Sequence, residues 1–115
     1  MPRYDDSDRL RHMFDCARTA VEFCAGKTRG DLDGDNMLVL ALARLLEIIG
    51  EAATRVSPEF RDQHLAIEWQ PIIAARNRLI HGYADVDLDI VWNIVTEDLP
   101  RLIANLEKLL PTEEG

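Results

Sequence analysis

The sequence predicts an all-α fold, an antiparallel bundle of about four main helices with a kink or break near Pro100. Three observations predict it. Apolar residues recur at three- and four-residue spacing through four segments. No segment alternates apolar and polar residues as a half-buried strand does. Short runs rich in Gly, Pro and Asp separate the segments, and short connections return a helix antiparallel to its neighbour.

The first segment runs from about Ser7 to Lys27, with Leu10, Met13, Phe14, Ala17, Val21 and Cys24 on one stripe, and "TRGDLDGDN" breaks it. The second, from about Asn36 to Val56, is the clearest. Leu38, Leu42, Leu45, Leu46, Ile49, Ala52, Ala53 and Val56 have the spacing of a core-facing helix, and Arg44, Glu47, Glu51 and Arg55 lie on another face. Ser57-Pro58 ends it, because a residue before proline avoids the helical region. "PEFRDQH" reads as one short turn. The third segment starts near Trp69, with Pro71 in its first turn, Ile72, Ile73, Leu79 and Ile80 as apolar contacts, and Gly82 as terminator. The fourth starts near Asp87 and runs to about Leu110, carrying Leu88, Val91, Trp92, Val95, Leu99, Leu102, Ile103, Leu106 and Leu110. Pro100 interrupts it. Residues 111–115 read as a frayed tail, and the 115 residues as one domain. The expected core holds Leu42, Leu45, Leu46, Ile49, Ile73, Leu79, Val91, Trp92 and Val95.

Composition bounds the function. The net charge of −8 argues against a broad nucleic-acid-binding face, which needs clustered Lys and Arg, but it leaves room for a local basic site. The cations are 11 Arg and two Lys, Lys27 and Lys108, and arginine is the better fork for phosphate or carboxylate. No apolar run is long enough to span a bilayer and "MPRYDDSDRL" has no signal-peptide core, so the reading is a cytoplasmic chain without a membrane partner. Cys16 and Cys24, about 12 Å apart along one helix, are too distant for a disulfide and read as small buried hydrophobes.

Several motifs fail on spacing. "DLDGDN" and "DVDLDI" open like calcium loops, but Asn36 and Ile90 stand at the sixth position and Leu42 and Thr96 at the twelfth, where Gly and Glu are required. Both read as helix starts. The two Cys and three His lack zinc-ligand spacing, and no Gly-rich phosphate loop is present, so the reading has neither metal nor cofactor.

That leaves "ARNRLIHGYADVDLD", residues 75–89, which gathers Arg76, Asn77, Arg78, His81 and Tyr83 where the third helix ends. Arg78 and His81 are helical neighbours, whereas Arg76 and His81 are about 140° apart in projection. An ordinary explanation is available: Arg76 and Arg78 pair with acids such as Glu47 or Glu51, His81 caps the helix, and Tyr83 packs its ring.

The pattern Arg76–Asn77–x3–His81–x–Tyr83 resembles the signature of the HEPN superfamily, and its Arg-x4-His-x-Tyr form resembles the HepT-type toxins. "LLEIIGEAATRVSPEFR", "WQPIIAARNRLIHGY" and "VDLDIVWNIVTEDLP" resemble that family too, so the likeness covers nearly the whole chain. Ala75 departs from it, standing where a larger residue such as Met is frequent, which is a difference of packing. The resemblance implies a HEPN-like bundle that forms a homodimer and acts as a metal-independent endoribonuclease on RNA. It implies Arg76 and His81 as catalytic residues and Asn77, Arg78 and Tyr83 as RNA- or phosphate-binding residues. It also implies neutralisation by a minimal nucleotidyltransferase antitoxin that transfers AMP to Tyr83. Two other readings stay open at this point. One is a non-catalytic module that binds nucleotide or a nucleotidyltransferase. The other is a structural subunit whose cluster is an ion-pair network.

Overall fold

The computed structural model describes residues 5–79 and 87–110, without the side chains of residues 76–79. All its regular elements are helical. Helix α1 (Asp6–Cys24) starts on a reciprocal capping box, in which Asp5 accepts from the Asp8 N–H at 3.0 Å and Asp8 from the Asp5 N–H at 3.1 Å. The segment read as a break contains a 3-10 turn, Arg29–Gly34, which plugs Leu32 into the core at 1% exposure. Helix α2 (Asn36–Arg55) starts where Asp35 accepts from the Leu38 N–H at 3.0 Å. The acidic run before α2 therefore does serve as a helix start, with Asp35 capping α2 and Asp31 the 3-10 turn.

Helix α3 (Pro58–Gln63) is the predicted short turn, capped by Ser57 on the Phe60 N–H at 3.3 Å. Ser57 also donates its N–H and its hydroxyl to the Asp6 carboxylate at 2.9 and 2.7 Å, which ties the end of α2 to the start of α1. Helix α4 (Trp69–Leu79) follows, then α5 (Leu88–Asn93), a π turn (Ile94–Asp98) and α6 (Leu99–Glu107). Helix α2 packs against α1 and against α4, α6 lies on α1, and α5 rests on the 3-10 turn.

The fourth predicted segment is thus one helical run with a change of winding before Pro100. Val91, Val95 and Leu99 are spaced by four residues and are all buried. In a pure α-helix each such step overshoots one turn by about 40°, so the third residue would leave the core face. The Leu99 N–H instead bonds the Ile94 carbonyl five residues back, and the wider π turn takes up the surplus residue. Pro100, which has no N–H to donate, then sits in the first turn of α6, where none is needed.

The core matches most of the expected residues. Leu42, Leu46, Ile49, Val91 and Val95 are buried, and Leu45, Ile73 and Trp92 are half-buried against them. The Leu79 side chain lies outside the described residues, as do Gly82 and the tail of residues 111–115. On α1, Ala20 is buried and Val21 only half-buried. Cys24 is buried and Cys16 half-buried, both free. Burial pushes each thiol above its ordinary value, with Asp15 adding to the effect at Cys16. Neither is poised as a thiolate nucleophile.

Leu42 is fully buried and Leu65, between α3 and α4, is 75% exposed. Leu42→Ala is expected to cost about 2–5 kcal/mol through lost contacts and a cavity, and Leu65→Ala no more than about 0.5 kcal/mol. Urea unfolding of the two variants beside the parent chain measures the difference.

Candidate functional site

The residues singled out in the sequence fall at the end of α4. The start of that helix is fixed by Trp69, which is 5% exposed. Its indole N–H donates to the His64 carbonyl at 3.0 Å, and its backbone N–H to the Ile67 carbonyl at 3.0 Å. His64 is held in turn, with its Nδ1 at 2.9 Å from the Phe60 carbonyl and its ring stacked on Phe60 with centroids 4.0 Å apart. Pro71 stands in the first turn, where its missing N–H leaves no bond unmade. Ile72 and Ile73 are half-buried and Ala75 is 8% exposed. The apolar face of α4 therefore docks on α2, and the helix carries Arg76, Asn77 and Arg78 onward as α-helical backbone.

The structure places those three positions in succession on the last turns of α4. Their side chains, and His81 and Tyr83 entirely, lie outside the described residues. What is described is the frame on either side of the motif. Downstream, Asp87 caps α5 by accepting from the Asp89 N–H at 2.9 Å and the Ile90 N–H at 3.3 Å. Asp89 receives the Arg29 guanidinium at 2.5 Å, and Arg29 also reaches Asp33 at 3.2 Å. The hydrogen bond that Arg29 donates to Asp89 raises its pKa above the ordinary value, with Asp33 assisting. The motif segment thus leaves a helix anchored by Trp69 and re-enters one that is capped by Asp87 and clasped to the 3-10 turn. Nothing in the sequence reading signalled the Trp69 anchor or the Arg29 clasp, because both join residues far from the motif.

Glu47 and Glu51, the acids offered as ordinary partners for the motif arginines, both take part in ion pairs along α2. Glu47 accepts from Arg44 at 3.2 Å, and Glu51 from Arg55 at 3.1 and 2.9 Å. Among the described residues no three His, Cys, Asp or Glu side chains gather as a metal-binding group. No described helix is long and apolar enough to cross a membrane.

Ala75 leaves a trace in the packing. A cavity of about 50 Å³ lies between α2, α4 and α6, with Ala75, Leu46, Ile72, Leu99 and Leu102 in its wall. It opens beside the position at which the sequence carries a small residue.

Residues 13–109 match the family described as Ribonuclease HepT-like. The chain is 40% identical over 102 residues to a Thermococcus cleftensis protein named "Probable ribonuclease HepT", covering 89% of this chain and 93% of that one. It is 32% identical over 105 residues to a "Putative RNase" of Caldanaerobacter subterraneus, covering 91% and 94%. It is 31% identical over 107 residues to a "Putative RNase" of Methanocaldococcus jannaschii, covering 93% and 98%. No solved structure matches.

The cavity beside Ala75 gives a prediction about the frame of the site. Ala75→Met is expected to fill it and to raise stability by about 0.5–2 kcal/mol, as cavity-filling substitutions commonly do. Thermal unfolding followed by circular dichroism measures it, and a lowered midpoint would mean that the wall cannot admit the longer side chain.

Proposed function

The chain belongs to the HepT-like ribonuclease family, and from that premise we propose that it is a metal-independent endoribonuclease acting through Arg76, His81 and Tyr83. The observation that carries this reading is the fit of residues 13–109 to the family, together with the position of Arg76 and Arg78 on the last turns of a helix anchored at Trp69. The chemistry suits these residues. The ribose 2′-hydroxyl attacks the adjacent phosphorus and loses its proton, and the P–O bond to the next nucleotide breaks as the leaving 5′-oxygen gains one. A cyclic phosphate remains. An imidazole at His81 moves those protons. Arg76 forks onto the phosphate and stabilises the charge that grows on its oxygens. Asn77 holds the ribose or orients His81, while Arg78 and Tyr83 grip the phosphate or stack a base.

One histidine cannot at once take and give a proton. A two-fold homodimer that brings both copies of the motif to one cleft supplies two. Exposed apolar surface on α2 supports it: Met37 is 83% and Leu40 54% exposed, one turn apart on the same helix. Light scattering is expected to give a dimer for the parent chain and a monomer for Met37→Glu combined with Leu40→Glu.

The proposed partner is a minimal nucleotidyltransferase antitoxin. It transfers AMP from ATP to the Tyr83 hydroxyl, releasing pyrophosphate. The added phosphodiester stands two residues from His81 and competes with RNA phosphate for Arg76 or Arg78. Inhibition by this route is local charge occupation and steric block.

RNA cleavage is expected to persist in EDTA and to fall by about 10²–10⁴-fold in His81→Ala, with a comparable loss in Arg76→Ala. Cleavage that stops on chelation, or that survives His81→Ala, contradicts the mechanism. Nucleotide binding without any cleavage would instead favour a non-catalytic nucleotide- or nucleotidyltransferase-binding module. Incubation with the partner and ATP is expected to add one AMP to the intact mass, absent in Tyr83→Phe. An adduct on Tyr4, the chain's other tyrosine, would overturn the assignment.

A further inference from the structure

We infer that the groove at the corner between α3 and α4 is a docking surface for a partner protein that presents an acidic side chain beside an apolar one. The inference stands apart from the ribonuclease reading. It uses no residue of the motif and none of the exposed face of α2.

Two features of this corner have no use within the fold. Arg61, on α3, buries its Nε without a hydrogen-bond partner, the one such side-chain atom among the described residues. A desolvated donor left unmade is a cost that native structures rarely carry. Leu65, in the link to α4, is 75% exposed. Both line one open groove of about 520 Å³, together with Pro58, Ile67, Trp69 and Pro71.

The corner is held rigidly, so neither feature can relax away. The His64 carbonyl accepts from the Trp69 indole at 3.0 Å and from the Ile67 N–H at 3.3 Å. Asn105 of α6 donates its side-chain N–H to the Ala66 carbonyl at 3.2 Å. The carbonyls on both sides of Leu65 are thus engaged, which holds the loop and keeps the Leu65 side chain in water. A surface already fixed in place loses little freedom when a partner binds.

The lining selects the partner's chemistry. Pro58 and Pro71 have no N–H to offer, and the N–H groups of Ile67 and Trp69 are bonded to backbone carbonyls. Arg61 is the only cation in the lining. Turned into the groove, its guanidinium offers Nε and a terminal nitrogen as a fork for one carboxylate, and the unmade bond becomes a made one. Asp62 and Glu68 also line the groove, and Glu68 is paired with Arg101 at 3.4 Å. Two acids beside one arginine repel a nucleic-acid strand, which needs several cations in series, but they leave room for a single carboxylate on the fork. A solvated ion pair alone holds little. Contact with Leu65 and the two prolines supplies the rest, so the occupant carries an acid and an apolar group together, as a protein surface does.

The test uses the isotope-labelled full chain and a synthetic peptide, acetyl-Ser-Leu-Glu-Leu-Ser-amide. Nuclear magnetic resonance follows two signals, the Arg61 Nε–H and the Trp69 indole N–H. Titration is expected to move both and to saturate. Replacing the peptide's Glu by Gln is expected to weaken binding about tenfold, the loss of a charge-assisted contact, and Arg61→Gln in the chain should do the same. Leu65→Ser is expected to weaken binding severalfold. Its side chain is exposed, so the fold survives and the test stays decisive if Arg61→Gln folds poorly. Arg18→Gln removes the same charge from an exposed site outside the groove and should leave binding unchanged. The inference is overturned if neither signal moves at millimolar peptide, if Arg61→Gln or Leu65→Ser binds as the parent does, or if Arg18→Gln loses as much as Arg61→Gln. Tighter binding of an uncleavable 2′-O-methyl RNA at the same two signals would give the groove to nucleic acid. Movement of both signals on concentrating the chain alone would give it to a second copy. Either result overturns the inference as well.

Discussion

The burial of α2 between α1 and α4 is the constraint on which the rest of the structure depends. Leu42, Leu46, Ile49 and Ala53 are each at most 4% exposed, and their removal from water supplies the non-directional part of the packing energy. That burial alone would let the neighbouring helices slide. Polar contacts at the helix ends fix their register. Ser57 on Asp6 joins one end of α2 to α1, and Asp35 on the Leu38 N–H defines where its other end begins. The apolar stripe decides which faces meet, and a few hydrogen bonds decide how far along.

The same division of labour positions α4. Its apolar face would dock on α2 in any of several registers, since Ile72, Ile73 and Ala75 are small or branched and interchangeable in shape. Trp69 removes that freedom. Its ring is too large to slip past its socket, and its N–H has an acceptor at the His64 carbonyl. The backbone of Arg76 follows seven residues later, close to two helical turns, so its height along the bundle is set by the anchor. On the far side of the motif, Asp87 and the Arg29–Asp89 pair fix the place where α5 starts. A segment placed between two fixed helix ends can be varied in its own residues without disturbing the bundle.

Much of this was legible in the sequence, because the signals are local. The stripe of α2 repeats every three to four residues, and both Asp-rich runs declare helix starts by their own side chains. Pro100 announces an interruption, but not its form. A π turn is chosen because Val91, Val95 and Leu99 must all face the core, which is a property of the packed state. The 3-10 turn escaped because Leu32 is its only buried residue and one apolar residue makes no period. At the candidate site, the motif residues were readable as a pattern of types and spacings. The Arg29 clasp was not, since it joins residues 60 apart that only the fold brings together, and the Trp69 anchor was not, since its acceptor is a backbone carbonyl that carries no side-chain signal. Arg44, Glu47, Glu51 and Arg55 were visible as a polar face.

An acidic chain that acts on a polyanion presents an electrostatic problem, and the arrangement of charge answers it. At physiological salt, charges act over about 8 Å, so an RNA strand responds to the patch beneath it and scarcely to the total of −8. The Asp-rich capping runs, Asp5 to Asp8 and Asp31 to Asp35, sit at helix starts, where they do structural work and also repel phosphate from those ends. The arginines of α2 lie on the stretch between. Arg44 and Arg55 on that stretch each pair with a glutamate of the same helix, so the stretch is neutral between two acidic ends, and a phosphate meets less repulsion along it than at either helix start.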